Sequence, residues 1–395
     1  MKDNFEFLLP TKIYFGKGEE NKIGEIISSY GYKKVLFHYG KNSIKKSGLY
    51  DKVVSSLKKN NIEFVELGGV QANPTLEKVK EGIILSRENN VELILAIGGG
   101  SVLDSAKLIA HGFYYDGNPY DISLKKYVST KALPIVTMIT IAAAGSEMSS
   151  SCVISDEEHH LKRGFNSELN RPLASIENPE LTYTVPLNQL GYGVVDIISH
   201  SFERYFNKSD DIEFADYMAE AIIKATIDSG IELISSPYSY SARATMMLAS
   251  SFSHNGLTSL GKDSFMPIHQ LEHELSGLYP SIAHGEGLAI LIPAWMKVVH
   301  SFDKEKFIKF AKNVMMVSVY EDEEDLINKG IKKIEEIFKK FSMPSSLKEV
   351  GVKEEDLLIM ANKLTDNGSK IFPSNIPLTK ELVLKIYKEA FKEEK

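Results

Sequence analysis

The stretch Val91–Ser101, VELILAIGGGS, decides the fold class. Val91–Ile97 is almost continuously apolar, which fits a strand covered on both faces, as in a parallel sheet sandwiched by helices. It passes directly into Gly98, Gly99, Gly100 and Ser101, and a helix carrying Asp104 and Lys107 follows. Three glycines strip the turn of side chains, so backbone N–H groups can approach a phosphate, and the helix N-terminus adds partial positive charge. The same turn also fits a tight strand-to-helix connection that binds nothing. It is neither GxGxxG nor a P-loop ending in GK[ST].

Outward from this point the pattern repeats. Val35-Leu36-Phe37 is a strand-like run closed by Tyr39-Gly40, followed by a helix-like stretch from Gly48 to Asn60. A second apolar run, Ile62–Leu67, leads to a helix-like Leu76–Asn89, and LPIVTMIT from Leu133 reads as a further strand. Strands and helices alternating in this way predict an α/β domain built on a parallel sheet. After Pro186, Ala, Leu, Met, Glu and Lys dominate with helical periodicity, as in Leu190–Phe206 and Asp322–Phe341. Residues 1–185 are therefore expected to form an α/β domain, and residues 186–395 an all-helical domain.

The end of the first strand refines the cofactor expectation. A dinucleotide fold that binds NAD places an acidic residue near this point for the ribose 2′-hydroxyl. Gly40, Lys41, Asn42 and Ser43 offer free backbone, a cation, an amide and a hydroxyl instead. That set suits a 2′-phosphate, so NADP(H) is expected, with NAD(H) the alternative.

Composition narrows the function classes. A net charge of −7 gives no electrostatic reason to expect nucleic acid or an acidic membrane as a partner. Cys152 is the only cysteine, so neither an intrachain disulfide nor a thiolate metal cluster can form. The N-terminal MKDNFEFLLPTKIYFGKG lacks the apolar core of a secretory signal, and no apolar run is long enough to span a bilayer. A cytoplasmic protein is expected.

Two segments carry metal-ligand chemistry. In GYGVVDIISHSFERYF, from Gly191, Asp196 and His200 are four apart, so both side chains leave one helix face. Val194, Val195, Ile197 and Ile198 predict burial there, and a buried carboxylate needs a partner, whether a cation or a simple hydrogen bond. HQLEHELSGLYPSIAHGEGLAIL, from His269, repeats the spacing with His269 and His273 and reaches His284 beyond a turn containing Gly277 and Pro280. Gln270 stands where HExxH needs its glutamate, which disfavours a zinc peptidase. Spacing leaves each of these histidines open as ligand, general base or ordinary polar residue.

Taken in order, PTKIYFGKG, YGKNSIKKSGLYD, NPT at Asn73, IGGGSVLDSAK, AGSEMS at Ala144, GVVDIISH and the histidine-rich segment resemble one family across essentially the whole chain. It is the iron-containing (group III) alcohol dehydrogenase family, in its branch of NADPH-dependent butanol dehydrogenases and aldehyde reductases. The resemblance implies a dehydroquinate synthase-like architecture, with residues 1–185 as the dinucleotide-binding domain and residues 186–395 as the metal-binding and catalytic domain, its metal held by Asp196, His200, His269 and His284. It implies that His273 is not a ligand but a catalytic-site histidine near the nicotinamide. Cofactor contacts are implied for Asn73, Gly98, Gly99, Gly100, Ser101, Asp104, Thr140, Ser149 and Lys162, with Gly40–Ser43 around the 2′-phosphate.

A donor set of carboxylate and imidazoles without thiolate suits Fe2+ or Zn2+. The implied activity interconverts short- to medium-chain aldehydes and primary alcohols, in a homodimer. Two departures stand out: Ala144 occupies a place where the family commonly has threonine, and the loop from His273 to His284 is about one residue longer. Two other readings share the scaffold. One is an enzyme of the dehydroquinate synthase or glycerol-1-phosphate dehydrogenase type, which would need a cluster of basic residues where the chain carries Arg204 and Lys262. The other is a non-catalytic protein that binds metal and nucleotide.

Overall fold

The structure is a computed structural model that describes residues 4–208 and 212–392. VELILAIGGGS folds as anticipated: β4 (Leu93–Gly98) is buried along its length, and α5 (Gly100–Gly112) begins two residues later. Among the described residues, six parallel strands form one sheet in the order β1-β8-β5-β4-β2-β3. These are β1 (Lys12–Phe15), β2 (Lys34–Gly40), β3 (Glu63–Val70), β4, β5 (Ile135–Ile139) and β8 (Ala174–Glu177). β6 (Ser151–Asp156) and β7 (Leu161–Asn166) form a separate antiparallel hairpin.

The strands read as continuous apolar runs because both faces are covered. Leu36, Ile94 and Ala96 join one core with Val79, Leu103 and Ile109 of the flanking helices. Their sequence neighbours Val35, Phe37, Leu93, Leu95 and Ile97 join the opposite core with Ile23, Val53 and Leu57. The helices on this part of the chain are α1 (Ile23–Ser29), α2 (Ser43–Lys46), α3 (Leu49–Lys59), α4 (Leu76–Glu88), α5 and α6 (Tyr120–Ser123).

The remaining helices are α7 (Leu187–Tyr205), α8 (Phe214–Ser235), α9 (Tyr240–Ser253), α10 (Pro267–Leu278) and α11 (His284–Val299). They are followed by α12 (Lys304–Asn313), α13 (Glu323–Lys340), α14 (Glu354–Thr365) and α15 (Lys380–Phe391). Aromatic packing joins three of them: Phe202 and Phe206 of α7 meet Trp295 of α11, with ring centroids 5.9 and 5.5 Å apart, and Phe310 of α12.

The chain forms two compact units. One comprises Leu8–Val185 with Tyr238–Ser251, and the other comprises Pro186–Pro237 and the described residues from Phe252 on, with residues 4–7. Most of α9 therefore belongs to the sheet unit. The link is polar: the Ser250 hydroxyl accepts a hydrogen bond from the Gly145 N–H at 3.1 Å, and the Ser251 hydroxyl donates to Glu147 at 2.7 Å. Among the described residues no helix is long and apolar enough to cross a membrane.

Candidate metal centre and dinucleotide edge

In the helical unit, α7 places Asp196 and His200 one turn apart on its inner face, and α10 adds His269. One donor atom from each of these three residues lies within 4.8 Å of the others. Asp196 Oδ1 is 3.5 Å from His200 Nδ1, 3.7 Å from His269 Nε2 and 3.8 Å from Nε2 of His284, the first residue of α11. These separations are long for hydrogen bonds. They match the roughly 3.4 Å between donors that share one cation at about 2.1 Å. Asp196 Oδ1, His200 Nδ1 and His269 Nε2 are all buried without a hydrogen-bond partner among the described residues. Buried polar atoms left in this state are costly, and a divalent cation satisfies all three at once. The residues present fit a metal.

Two glutamates that sequence reasoning did not single out as partners stand behind the imidazoles. Glu203, on α7, accepts a hydrogen bond from His269 Nδ1, and Glu272, on α10, accepts one from His284 Nδ1. Such carboxylate–histidine pairs fix ring orientation and raise ligand basicity. Seven residues beyond Asp196, Glu203 falls on the same helical stripe, which is the signal that spacing carried. His254 was also missed; its ring meets that of His200 edge-on at 4.0 Å between centroids.

Electrostatics separate the two buried histidines. Burial, with the neighbouring His254 and His269, holds His200 well below the ordinary imidazole range, so it is neutral and ready to ligate. For His269 burial acts in the same direction. The carboxylates of Glu203 and Asp196 outweigh it and push the ring up to about 9.

His273 is buried but sits beside the cluster. Its ring centroid is 6.5 Å from that of His269 and 6.2 Å from that of His284. The longer loop before His284 does not carry it away, because α11 starts at that residue and directs Nε2 toward Asp196.

In the sheet unit, the residues expected to meet a dinucleotide gather at the carboxyl ends of the parallel strands. Gly40–Ser43 close β2 and open α2, Asn73 follows β3, Gly98–Ser101 close β4 and open α5, and Thr140 follows β5. β2 pairs with β3 on one side and β4 on the other, so the order reverses there. Ligands of open α/β sheets bind at such switch points, outside the carboxyl ends of the strands. The N-terminus of α5 has no side-chain cap among the described residues, which suits an anion as acceptor.

The glycines have a second cause. A Cβ on Gly99 would stand 2.4 Å from Ile141 Cγ2, and one on Gly100 would stand 2.7 Å from Ala144 Cβ. The small Ala144 therefore packs directly against the turn.

Asp104 and Lys107 brace this edge from within α5. Asp104 accepts from the Ser146 hydroxyl at 2.7 Å and from the Val153 N–H at 2.9 Å. The wholly buried Lys107 ammonium donates to the Ser146 hydroxyl and to the Ser149 and Ser151 carbonyls. They tie the segment containing Ser149 and the hairpin bearing Lys162 to α5. The Asn73 turn joins them, since the Ser155 N–H donates to the Pro74 carbonyl at 2.9 Å.

Comparison with known proteins agrees with both halves. Residues 10–179 match the family described as iron-containing alcohol dehydrogenase, and residues 191–391 match the Fe-containing alcohol dehydrogenase C-terminal family. The chain is 43% identical over 389 residues to an NADH-dependent butanol dehydrogenase A of Clostridium acetobutylicum, covering 98% of this chain and 100% of that one. It is 32% identical to an NADPH-dependent aldehyde reductase of Escherichia coli, covering 98% and 100%. Among solved structures, an NADH-dependent butanol dehydrogenase A from Thermotoga maritima superposes with a TM-score of 0.93 at 41% identity, covering 98% and 99%.

Proposed function

Because the chain belongs to the iron-containing alcohol dehydrogenase family, we propose that it interconverts short- to medium-chain aldehydes and primary alcohols, such as butanal and butanol, using NADP(H) and one Fe2+ or Zn2+. The observation that carries this reading is the convergence of Asp196 with His200, His269 and His284 around unsatisfied buried donor atoms. When bound, the cation supplies Lewis acidity toward the substrate oxygen, and the reduced nicotinamide supplies hydride to the carbonyl carbon.

The chain's own residues do the rest. Asp196, His200, His269 and His284 hold the cation, and Glu203 and Glu272 hold the rings of His269 and His284. His273 orients the substrate oxygen and exchanges a proton with it. Gly98–Ser101 and the N-terminus of α5 receive the pyrophosphate, while Asn73, Thr140, Ser149 and Lys162 border the cofactor and Asp104 holds Ser146 and β6 in place. Gly40–Ser43 take the ribose end. The named relatives divide between NADH and NADPH, so the preference for NADP(H) rests on the missing carboxylate and on Lys41 in that loop. Family resemblance supports a homodimer.

The decisive experiment follows the loss of NADPH absorbance with butanal, before and after chelation and after return of Fe2+ or Zn2+. Turnover that is lost on chelation and restored by metal is expected; turnover indifferent to chelation would overturn the reading. A kcat/KM higher with NADH than with NADPH would overturn the coenzyme assignment alone.

A further inference from the structure

The two carboxylates behind the metal-facing histidines are wired differently. Glu203 is 2% exposed and reaches from α7 to the start of α10. One oxygen accepts the His269 Nδ1–H. The other accepts the backbone N–H groups of Ile268 and His269, the latter at 3.2 Å. α10 has Pro267 in its first turn and no side-chain cap of its own among the described residues, so Glu203 caps it from another helix. All three groups facing Glu203 are donors. Glu272, wholly buried, has a different neighbour: one oxygen accepts the His284 Nδ1–H and the other faces the Ser276 hydroxyl. A hydroxyl can turn and accept instead of donating.

On the four-ligand reading of the metal centre, we propose that Glu203 and Glu272 are positioning residues with unequal roles. Glu203 decides which ring nitrogen of His269 is left bare for the metal. Glu272 only orients His284.

The glutamine variants expose the difference. In Glu272→Gln the amide oxygen still accepts the His284 Nδ1–H, and the amide nitrogen donates to a rotated Ser276 hydroxyl. Both of these contacts are kept. In Glu203→Gln no orientation of the amide suits all three donors. If its oxygen serves the two backbone N–H groups, its nitrogen faces His269 Nδ1 and demands a bare nitrogen there. The proton then moves to Nε2, the atom that faces Asp196 at 3.7 Å. If the oxygen serves Nδ1, the amide nitrogen confronts two backbone donors, and the start of α10 is pushed away.

The test titrates Zn2+ into metal-depleted wild-type, Glu203→Gln and Glu272→Gln proteins against a competing chromophoric chelator. A loss of about 30-fold or more is expected for Glu203→Gln, in the range of about 10–100-fold typical of outer-shell changes, against less than about fivefold for Glu272→Gln, below that range. Equal losses, or a larger loss in Glu272→Gln, overturn the proposal. Nitrogen-15 histidine spectra give the second readout, one that general loosening would not produce. His269 Nδ1 is expected to carry its proton in wild-type protein with and without zinc, and to be bare in Glu203→Gln. A bare His269 Nδ1 in the wild type overturns the proposal even should Glu203→Gln fail to fold. Neither readout uses turnover, so inactivity toward butanal would sink the functional reading and leave this one standing.

Discussion

At the residue scale, single buried histidines report what burial does to charge. His38 on β2 is wholly buried, with Nδ1 2.9 Å from the Leu67 carbonyl and Nε2 3.0 Å from the Ser105 hydroxyl. Burial holds its pKa down at about 4 in spite of the Leu67 carbonyl. Between pH 6.5 and 4 the unfolded chain binds a proton that the folded ring refuses. His38 therefore costs stability progressively as pH falls below about 6.5, reaching on the order of 3 kcal/mol near pH 4. Glu147 and Glu177, both raised by burial, act in the opposite sense, so a comparison of variants isolates the effect. His38→Gln should lose stability at pH 7.5 yet lose less than wild type between pH 7 and 5 in urea denaturation. An unchanged pH slope would refute the assignment. His273 is tested by kinetics: His273→Ala should keep its metal while kcat/KM falls about a hundredfold, the lower end of the range for acid–base groups. Retained metal with full activity would remove His273 from the reaction.

At the element scale, the metal centre depends on how closely three helices approach. Gly285 is the second residue of α11, directly after His284. A Cβ there would stand 2.6 Å from the Tyr192 Cα on α7, a backbone atom that cannot step aside. Gly285→Ala should force α11 outward, costing about 1–3 kcal/mol as overpacking does, and should weaken Zn2+ binding by displacing His284. Denaturation and chelator competition would show both losses; wild-type affinity would mean that His284 is not held by this contact. The contact also shows why the site was only partly legible in the sequence. Asp196 and His200 could be paired because four residues is one helical turn. Glu203 and Glu272 are not marked in this way, because a glutamate on a helix ordinarily faces water, and only the fold brings Glu203 of α7 to a histidine 66 positions away at the start of α10. β4 and its glycines announced themselves through a continuous apolar run. β1 and β8 did not, because each is four residues long, and β1 is defined by pairing with β8 across more than 160 positions.

At the scale of the whole molecule, chain order and compact units differ, and the reason is local chemistry. α9 reads as one more helix in a helical half, yet Ser250 and Ser251 anchor it to Gly145, Glu147 and Glu177 of the sheet unit. Periodicity identified the helix but could not say which core it serves. The division has a consequence for ligands. All four proposed metal ligands lie in the helical unit, whereas every residue proposed to touch the dinucleotide lies in the sheet unit. Removing the metal carboxylate should therefore disable chemistry without disabling coenzyme capture. Asp196→Ala leaves His200 and His269 without their shared anionic neighbour and should abolish both metal retention and butanal turnover. The enhanced fluorescence of bound NADPH should still titrate with an affinity within about threefold of wild type, since binding energy is additive between sites that share no partners. Retained metal with full turnover would overturn the ligand assignment. Loss of NADPH binding together with the metal would show that the metal centre builds part of the dinucleotide site, and that the two units cannot be treated as separate binding modules.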